Sequence, residues 1–164
     1  VNFIDTYHAA GLYPVPYPFT LGVEGGGYVS ELFAADPTEP VPTSVTDATG
    51  GQIKVGDPVV YFPRGGTYAE EIIVAASIVV GVPAGVSLEI ASASILQGST
   101  AVALATKAYP VQKGDWILVH SAAGGTGQAL VQVAVAAGAH VVGVVSTSAK
   151  AEIAKGLGAE HVVV

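Results

Sequence analysis

Between two apolar stretches lies Ser121-Ala-Ala-Gly-Gly-Thr-Gly127, in which Ala122, Gly124 and Gly127 take the three small positions of a G-x-G-x-x-G pattern, with alanine in the first. The spacing has a physical reason. The first small residue permits a tight turn, the second lets backbone N–H groups approach a pyrophosphate, and the third lets helix and strand pack closely. A helix opening at this point supplies unpaired donors and a partial positive charge to phosphate. Ala122, Gly124, Gly125, Thr126 and Gly127 are therefore the candidate phosphate-binding positions. Further on, Val145-Ser-Thr-Ser-Ala-Lys150 stands where a carboxylate would hold the ribose 2′-hydroxyl of NAD. Hydroxyls and an ammonium suit a 2′-phosphate that a carboxylate would repel, which favours NADP(H) over NAD(H). The same residues also read as a plain helix start, with Ser148 as cap and Lys150 solvated in the first turn.

These residues need a strand before the glycines and a helix after them. Trp116-Ile-Leu-Val-His120 reads as the strand and Gln128 to Ala137 as a small-residue helix ended by Gly138. His140 to Val145 reads as a second strand, Ser148 to Leu157 as a second helix closed by Gly158, and His161 to Val164 as the start of a third strand. Such alternation implies a right-handed parallel βαβαβ sheet. Upstream the punctuation differs: nine of the ten prolines fall at or before Pro83, among glycines and short β-branched runs, which indicates irregular β structure. Pro37 to Gly51 reads as an exposed loop. Residues 57–62 and 68–74 read as strands joined through Gly65-Gly66, and a helical region capped by Ser87 runs from Leu88 to about Ala108 with a break near Gly98.

Composition narrows the function. Hydrophobic residues make up 51% of the 164 and charged residues 12%, which excludes disorder. The formal charge of −7, with no cluster of Lys or Arg, disfavours nucleic acid and anionic membrane surfaces as partners. No cysteine is present, which excludes disulfides, thiolate metal sites and a cysteine nucleophile. Residues 116–149 form a run of 34 without Asp, Glu, Lys or Arg, but its glycines and polar residues divide it into segments too short to span a bilayer as one helix. A buried parallel sheet with its crossover helix has the same hydropathy.

Several segments together resemble one family. Residues 2–8, Gly11-Leu-Tyr-Pro14, Pro18-Phe-Thr-Leu-Gly-Val-Glu24, Gly66-Thr-Tyr-Ala-Glu70, Leu96-Gln-Gly98 with Thr100, Tyr109-Pro-Val with Lys113-Gly-Asp115, and the glycine loop are similar to the zinc-independent quinone oxidoreductases, or ζ-crystallin-like proteins, of the medium-chain dehydrogenase/reductase superfamily. The resemblance implies an α/β plus β fold: a GroES-like β-rich domain (1–86) followed by a Rossmann doubly wound parallel sheet with its leading helices (87–164). It implies NADPH as cofactor, with Asn2, Tyr7 and Tyr13 on the nicotinamide and substrate side, Thr100 near the cofactor, and Ser146 and Lys150 at the 2′-phosphate. Both domains are expected to be cut short, because the first residue is Val1, no methionine occurs, and the Rossmann pattern halts at its third strand. Loop geometry is expected to differ from the family at His8-Ala9-Ala10, at Gly25 to Gly27, at Pro58 and in the loop from Pro37.

Zinc relatives carry a metal-binding histidine in a G-H-E segment, and the matching stretch here is Gly22-Val23-Glu24; Asn2 stands where they carry a cysteine. No metal site is expected, and His8, His120, His140 and His161 read as scattered, ordinary histidines. The implied activity is direct hydride transfer from NADPH to a quinone or activated alkene in a cytoplasmic, homodimeric protein. The alternatives are an enone, alkenal or enoyl reductase of the same superfamily, and a non-catalytic NADPH-binding structural protein. The 164-residue chain alone is expected to bind NADPH poorly.

Overall fold

The computed structural model describes all of residues 1–164, which divide into two compact units, 1–95 and 96–164. The division falls inside a helix rather than at its start near residue 87.

The first unit opens on a short helix, α1 (Phe3–Ala9), in a stretch whose prolines and glycines predict irregular β structure instead. Its β framework is a three-stranded antiparallel sheet in the order β1 (Gly25–Tyr28), β4 (Pro58–Tyr61), β5 (Val79–Gly81), beside a two-stranded ribbon of β2 (Val45–Thr46) and β3 (Gln52–Ile53). Val59 pairs with Gly81, and Ile53, Val59 and Val79 form the buried centre with Val29, Val45, Tyr61 and Val74 packed against it. Two expectations are corrected here. The Pro37 to Gly51 stretch carries β2 and a tight turn on Asp47, whose carboxylate accepts bonds from the backbone of Thr49, Gly51 and Gly81 and from the Thr49 hydroxyl. Residues 68–74 form no strand. The N–H groups of Gly66, Thr67 and Tyr68 bond the carbonyls of Thr20, Gly22 and Leu21, so pairing ends as the segment begins and Ile73 lies exposed.

Helix α2 (Leu88–Ala103) continues without a break through Gly98 and ends in a π-helical turn over Leu104–Ala108. The Ser87 hydroxyl accepts from Ile90 N at 3.3 Å and caps its start, as expected. Residues 88–108 make the one helix long and apolar enough, by length and composition, to cross a membrane.

The second unit is a parallel sheet in the order β6 (Trp116–His120), β7 (His140–Val144), β8 (His161–Val163), with α3 (Gly125–Ala136) and α4 (Ser148–Gly156) as its crossovers. The uncharged run therefore folds as strand, helix and strand. Gly127, Val131 and Ala134 lie on one face of α3 at helical spacing and are buried, and β7 alternates, burying Val141 and Gly143. With Val119, Ala122, Ala151 and Ala154 these small side chains make the core. Both helices end as their sequences require, at Gly138 and Gly158 with φ of +84° and +102°. The architecture is a GroES-like β-rich unit followed by a Rossmann-type parallel sheet.

Candidate cofactor and substrate site

At the carboxyl end of β6 the chain turns sharply through Ser121, which holds a φ of +52° rarely adopted by a side chain with a Cβ. The turn is closed by Gly124 N donating to Ser121 O at 2.8 Å, and Ala122, fully buried beneath it, donates its N–H to Val144 O on β7. The first bond within α3 is Gln128 N to Gly124 O. The N–H groups of Gly125, Thr126 and Gly127 therefore precede the hydrogen-bonded part of the helix and are its free donors. Gly127 is required by contact. A Cβ there would collide with Ser121 O and lie 2.9 Å from the Cα of Ala122. Four of the five loop positions expected to meet phosphate, Gly124 to Gly127, thus border a cavity of about 340 Å³ lined also by Leu104, Leu118, His120 and Leu130, while Ala122 lies buried outside it with its N–H committed to Val144 O.

At the end of β7, Lys150 Nζ lies 3.2 Å from Ser146 Oγ, so the ammonium and the hydroxyl expected at the 2′-phosphate form one exposed pair. The cap of α4 is Thr147, whose Oγ1 accepts from Lys150 N at 3.3 Å. Ser148 is the first helical residue, not the cap. Thr100 is half-buried on α2 and donates its hydroxyl to Leu96 O at 2.7 Å, which commits its proton within the helix.

In the first unit Asn2, Tyr7 and Tyr13 gather around α1. The rings of Tyr7 and Tyr13 meet edge to face with centroids 5.3 Å apart, and Tyr13 is half exposed. Beneath them runs a network that sequence reasoning missed. Asp5, 3% exposed, accepts from Asn2 N at 2.8 Å, Gly22 N at 3.1 Å and the Tyr68 hydroxyl at 3.2 Å. Burial, then the Asp5 charge and its hydrogen bond, push the Tyr68 phenol above its ordinary pKa and keep it a donor. Glu24 Oε1 accepts from Asn2 Nδ2 at 2.9 Å. A signal existed for part of this: Asn2 and Asp5 have the spacing of a helix cap and its reciprocal acid.

The histidines are less scattered than their sequence positions imply. His140 and His161 both stack against Trp116, at 4.8 and 5.9 Å, and His140 Nδ1 lies 2.6 Å from Glu160 Oε2. No group of three or more acidic, histidine or cysteine side chains is arranged to hold a metal ion.

No protein-family model matches the chain. Individual proteins do. A probable quinone oxidoreductase of Schizosaccharomyces pombe is 42% identical over 98% of this chain and 45% of its own length. The solved structure of Escherichia coli quinone oxidoreductase complexed with NADPH superposes over 100% of this chain and 47% of that one, with a TM-score of 0.85 and 37% identity. The chain is similar in sequence and fold to the quinone oxidoreductases. It spans a little under half the length of these oxidoreductases. A 2-haloacrylate reductase of a Burkholderia species is 38% identical over 99% of this chain and 47% of its own length.

Proposed function

We propose that the whole protein is an NADPH-dependent oxidoreductase that reduces a quinone or an activated alkene without zinc. The observation that carries this reading is the phosphate loop at the start of α3 together with the Ser146–Lys150 pair at the end of β7. Free N–H donors, a glycine that admits no side chain, and a cation without a neighbouring acid fit a phosphorylated dinucleotide. Gly124 to Gly127 would hold the pyrophosphate, Ser146 and Lys150 the 2′-phosphate, and Thr100 would lie near the cofactor. NADPH supplies the hydride. Residues 1–86 are assigned as the GroES-like domain and 87–164 as the cofactor domain.

Asn2, Tyr7 and Tyr13 are assigned to the nicotinamide and substrate side. A tyrosine hydroxyl donates to the carbonyl oxygen on which negative charge develops, and the paired aromatic rings give flat substrates an apolar surface that excludes water. Zinc independence is supported by Val23 and Asn2 at the positions where zinc relatives carry ligands, since valine cannot coordinate a metal and the chain has no cysteine.

Lys150→Glu in the whole protein tests the assignment. The KM for NADPH is expected to rise about tenfold or more, with NADH affected little, because a carboxylate then faces the 2′-phosphate. Equal effects on both cofactors would overturn it. The similarity to a 2-haloacrylate reductase favours a second reading, in which an activated alkene is the preferred substrate. Comparing kcat/KM across quinones and enones separates the two, and NADPH binding without turnover of either would leave a binding protein.

A further inference from the structure

Gly124 and Gly125 give the loop before α3 two opposite properties. Without a Cβ, backbone N–H groups come close to a phosphate, and for the same reason the peptides on either side of Gly124 turn over at little cost. A trans peptide points its N–H and its carbonyl in opposite directions. A peptide that turned over would therefore set an oxygen, which repels phosphate, where the site needs a donor. Such a loop needs something to hold its carbonyls back.

Gln128, the fourth residue of α3, holds both. Its backbone N–H donates to Gly124 O at 2.8 Å, and its side-chain Nε2 donates to Ala123 O at 2.9 Å, the one partner that this carbonyl has. With Gly124 O drawn toward the helix, the Gly125 N–H at the other end of that peptide points away from it. With Ala123 O drawn back as well, the Gly124 N–H turns to Ser121 O, at 2.8 Å. Any residue except proline supplies the first bond. The second needs a side chain that donates, that leans toward the start of the helix as helical side chains do, and that is long enough to reach five residues back. A carbonyl only accepts, so it faces the NH2 end of the Gln128 amide and excludes the other.

We propose that Gln128 is a positioning residue for the pyrophosphate: its amide locks the Ala123–Gly124 peptide so that the loop presents N–H groups, and no carbonyl, to the ligand. This rests on the cofactor reading given above and adds to it a residue that touches no phosphate itself. The ligand it serves is any dinucleotide with a diphosphate bridge, whether or not it carries a 2′-phosphate. Gln128 thus sets how tightly the dinucleotide is held, and Lys150 sets which dinucleotide it is.

Calorimetric titration of the whole protein with NADPH, NADH and adenosine 2′-monophosphate tests this. Gln128→Leu keeps the length and loses the donor, and its Kd is expected to rise about tenfold for NADPH and NADH alike. Gln128→Glu sets a carboxylate against Ala123 O and near the phosphates, and a rise of about thirtyfold or more is expected. Adenosine 2′-monophosphate has no diphosphate, and its phosphate is assigned to Ser146 and Lys150. It is expected to bind both variants within about twofold of the parent, which also shows that the unit is folded. Unchanged NADPH affinity in Gln128→Leu would overturn the proposal, and so would an equal loss for the monophosphate, the mark of a merely structural role. An independent readout is the carbonyl carbon NMR signal of Ala123 in the cofactor-free protein. In Gln128→Leu that signal is expected to move together with the Gly124 and Gly125 amide signals, and if all three stayed in place the proposal would also fail. A parent that bound neither dinucleotide would count against the cofactor reading alone, because the Ala123 signal still decides whether Gln128 holds the peptide.

Discussion

In the second unit the residues assigned to phosphate are held by backbone geometry over a core of small side chains, whereas in the first unit the residues assigned to substrate are held by carboxylates reaching across the chain. The contacts that shape the phosphate loop and the Ser146–Lys150 pair are mostly close in sequence, Gly124 to Ser121, Gln128 to Gly124 and Lys150 to Ser146, with the Ala122 N–H to Val144 O bond as the exception that ties the loop to β7. Those that shape the substrate side are not, since Asp5 meets Gly22 and Tyr68, and Asn2 meets Glu24, at separations of 17, 63 and 22 residues. A site built from local backbone bonds tolerates no added volume. One built from distant side chains tolerates no lost partner.

The largest effect is expected from adding volume in the second unit. In Gly127→Val the new side chain meets Ser121 O and the Ala122 backbone at the junction of β6 and α3, and nothing flexible is there to yield. A loss of about 3 kcal/mol in denaturant unfolding, with NADPH binding abolished, is expected of overpacking in such a place. Tolerance of the valine with cofactor binding intact would show that the helix and strand are not in obligatory contact, and the contrast between the units would fail.

Next comes the removal of a partner in the first. Asp5→Ala strands three donors, of which Gly22 N and Asn2 N belong to the backbone. About 2–3 kcal/mol of stability should be lost, because buried groups left without partners keep their desolvation cost. Asp5→Asn should recover part of it, since the amide oxygen still accepts. If the alanine variant unfolded at the same denaturant concentration as the parent, the network would be decoration on a helix held otherwise.

These two positions also show what was legible in the sequence. The strand, glycine loop and helix from Trp116 to Gly138 were readable because one short segment contains both the motif and the elements that present it. The hydroxyls and ammonium in place of an acid after His140 to Val145 were readable too, whereas the hydrogen bond from Lys150 to Ser146 was not. Helix α1 and the Asp5 network were not, since seven residues are too few to declare a period, the residues that α1 buries are the polar Asp5 and His8, and the carboxylate finds partners only after the chain has folded back. The expected strand at 68–74 failed in the same way: its composition was right, and the available edge was taken by residues 66–68 pairing with 20–22.

The acid limb of the stability curve separates the units further. Hydrogen bonds from Gly81 N and then from the Thr49 hydroxyl, outweighing desolvation, lower Asp47 from 3.8 to about 2. A carboxyl whose pKa is depressed by folding stabilises the native state above its unfolded value and loses that contribution as pH falls through the native one. The Asp47 turn should therefore be fully effective above about pH 4 and lost towards pH 2. In Asp47→Asn the melting temperature should be lower at pH 7 and the difference from the parent should shrink between pH 4 and 2. A constant difference would mean that the residue acts through shape rather than charge.

The smallest effect tests whether burial, rather than the mere presence of a carboxylate, separates the two regions. Glu160 sits in the second unit and pairs with His140 at 2.6 Å, a shorter contact than any that Asp5 makes. Both partners are close to half exposed, at 45% and 46% of side-chain surface, and water can replace whichever is removed. Glu160→Gln should cost about 0.5 kcal/mol or less, as exposed pairs do. Trp116, the one tryptophan, stacks on His140 and His161, so its emission reports any disturbance there directly. A cost approaching that of Asp5→Ala, with shifted Trp116 emission, would show that the parallel sheet also depends on a carboxylate. The contrast would then lie in where each carboxylate reaches, between the starts of adjacent strands of one sheet or across the chain, and not in how far each is withdrawn from water.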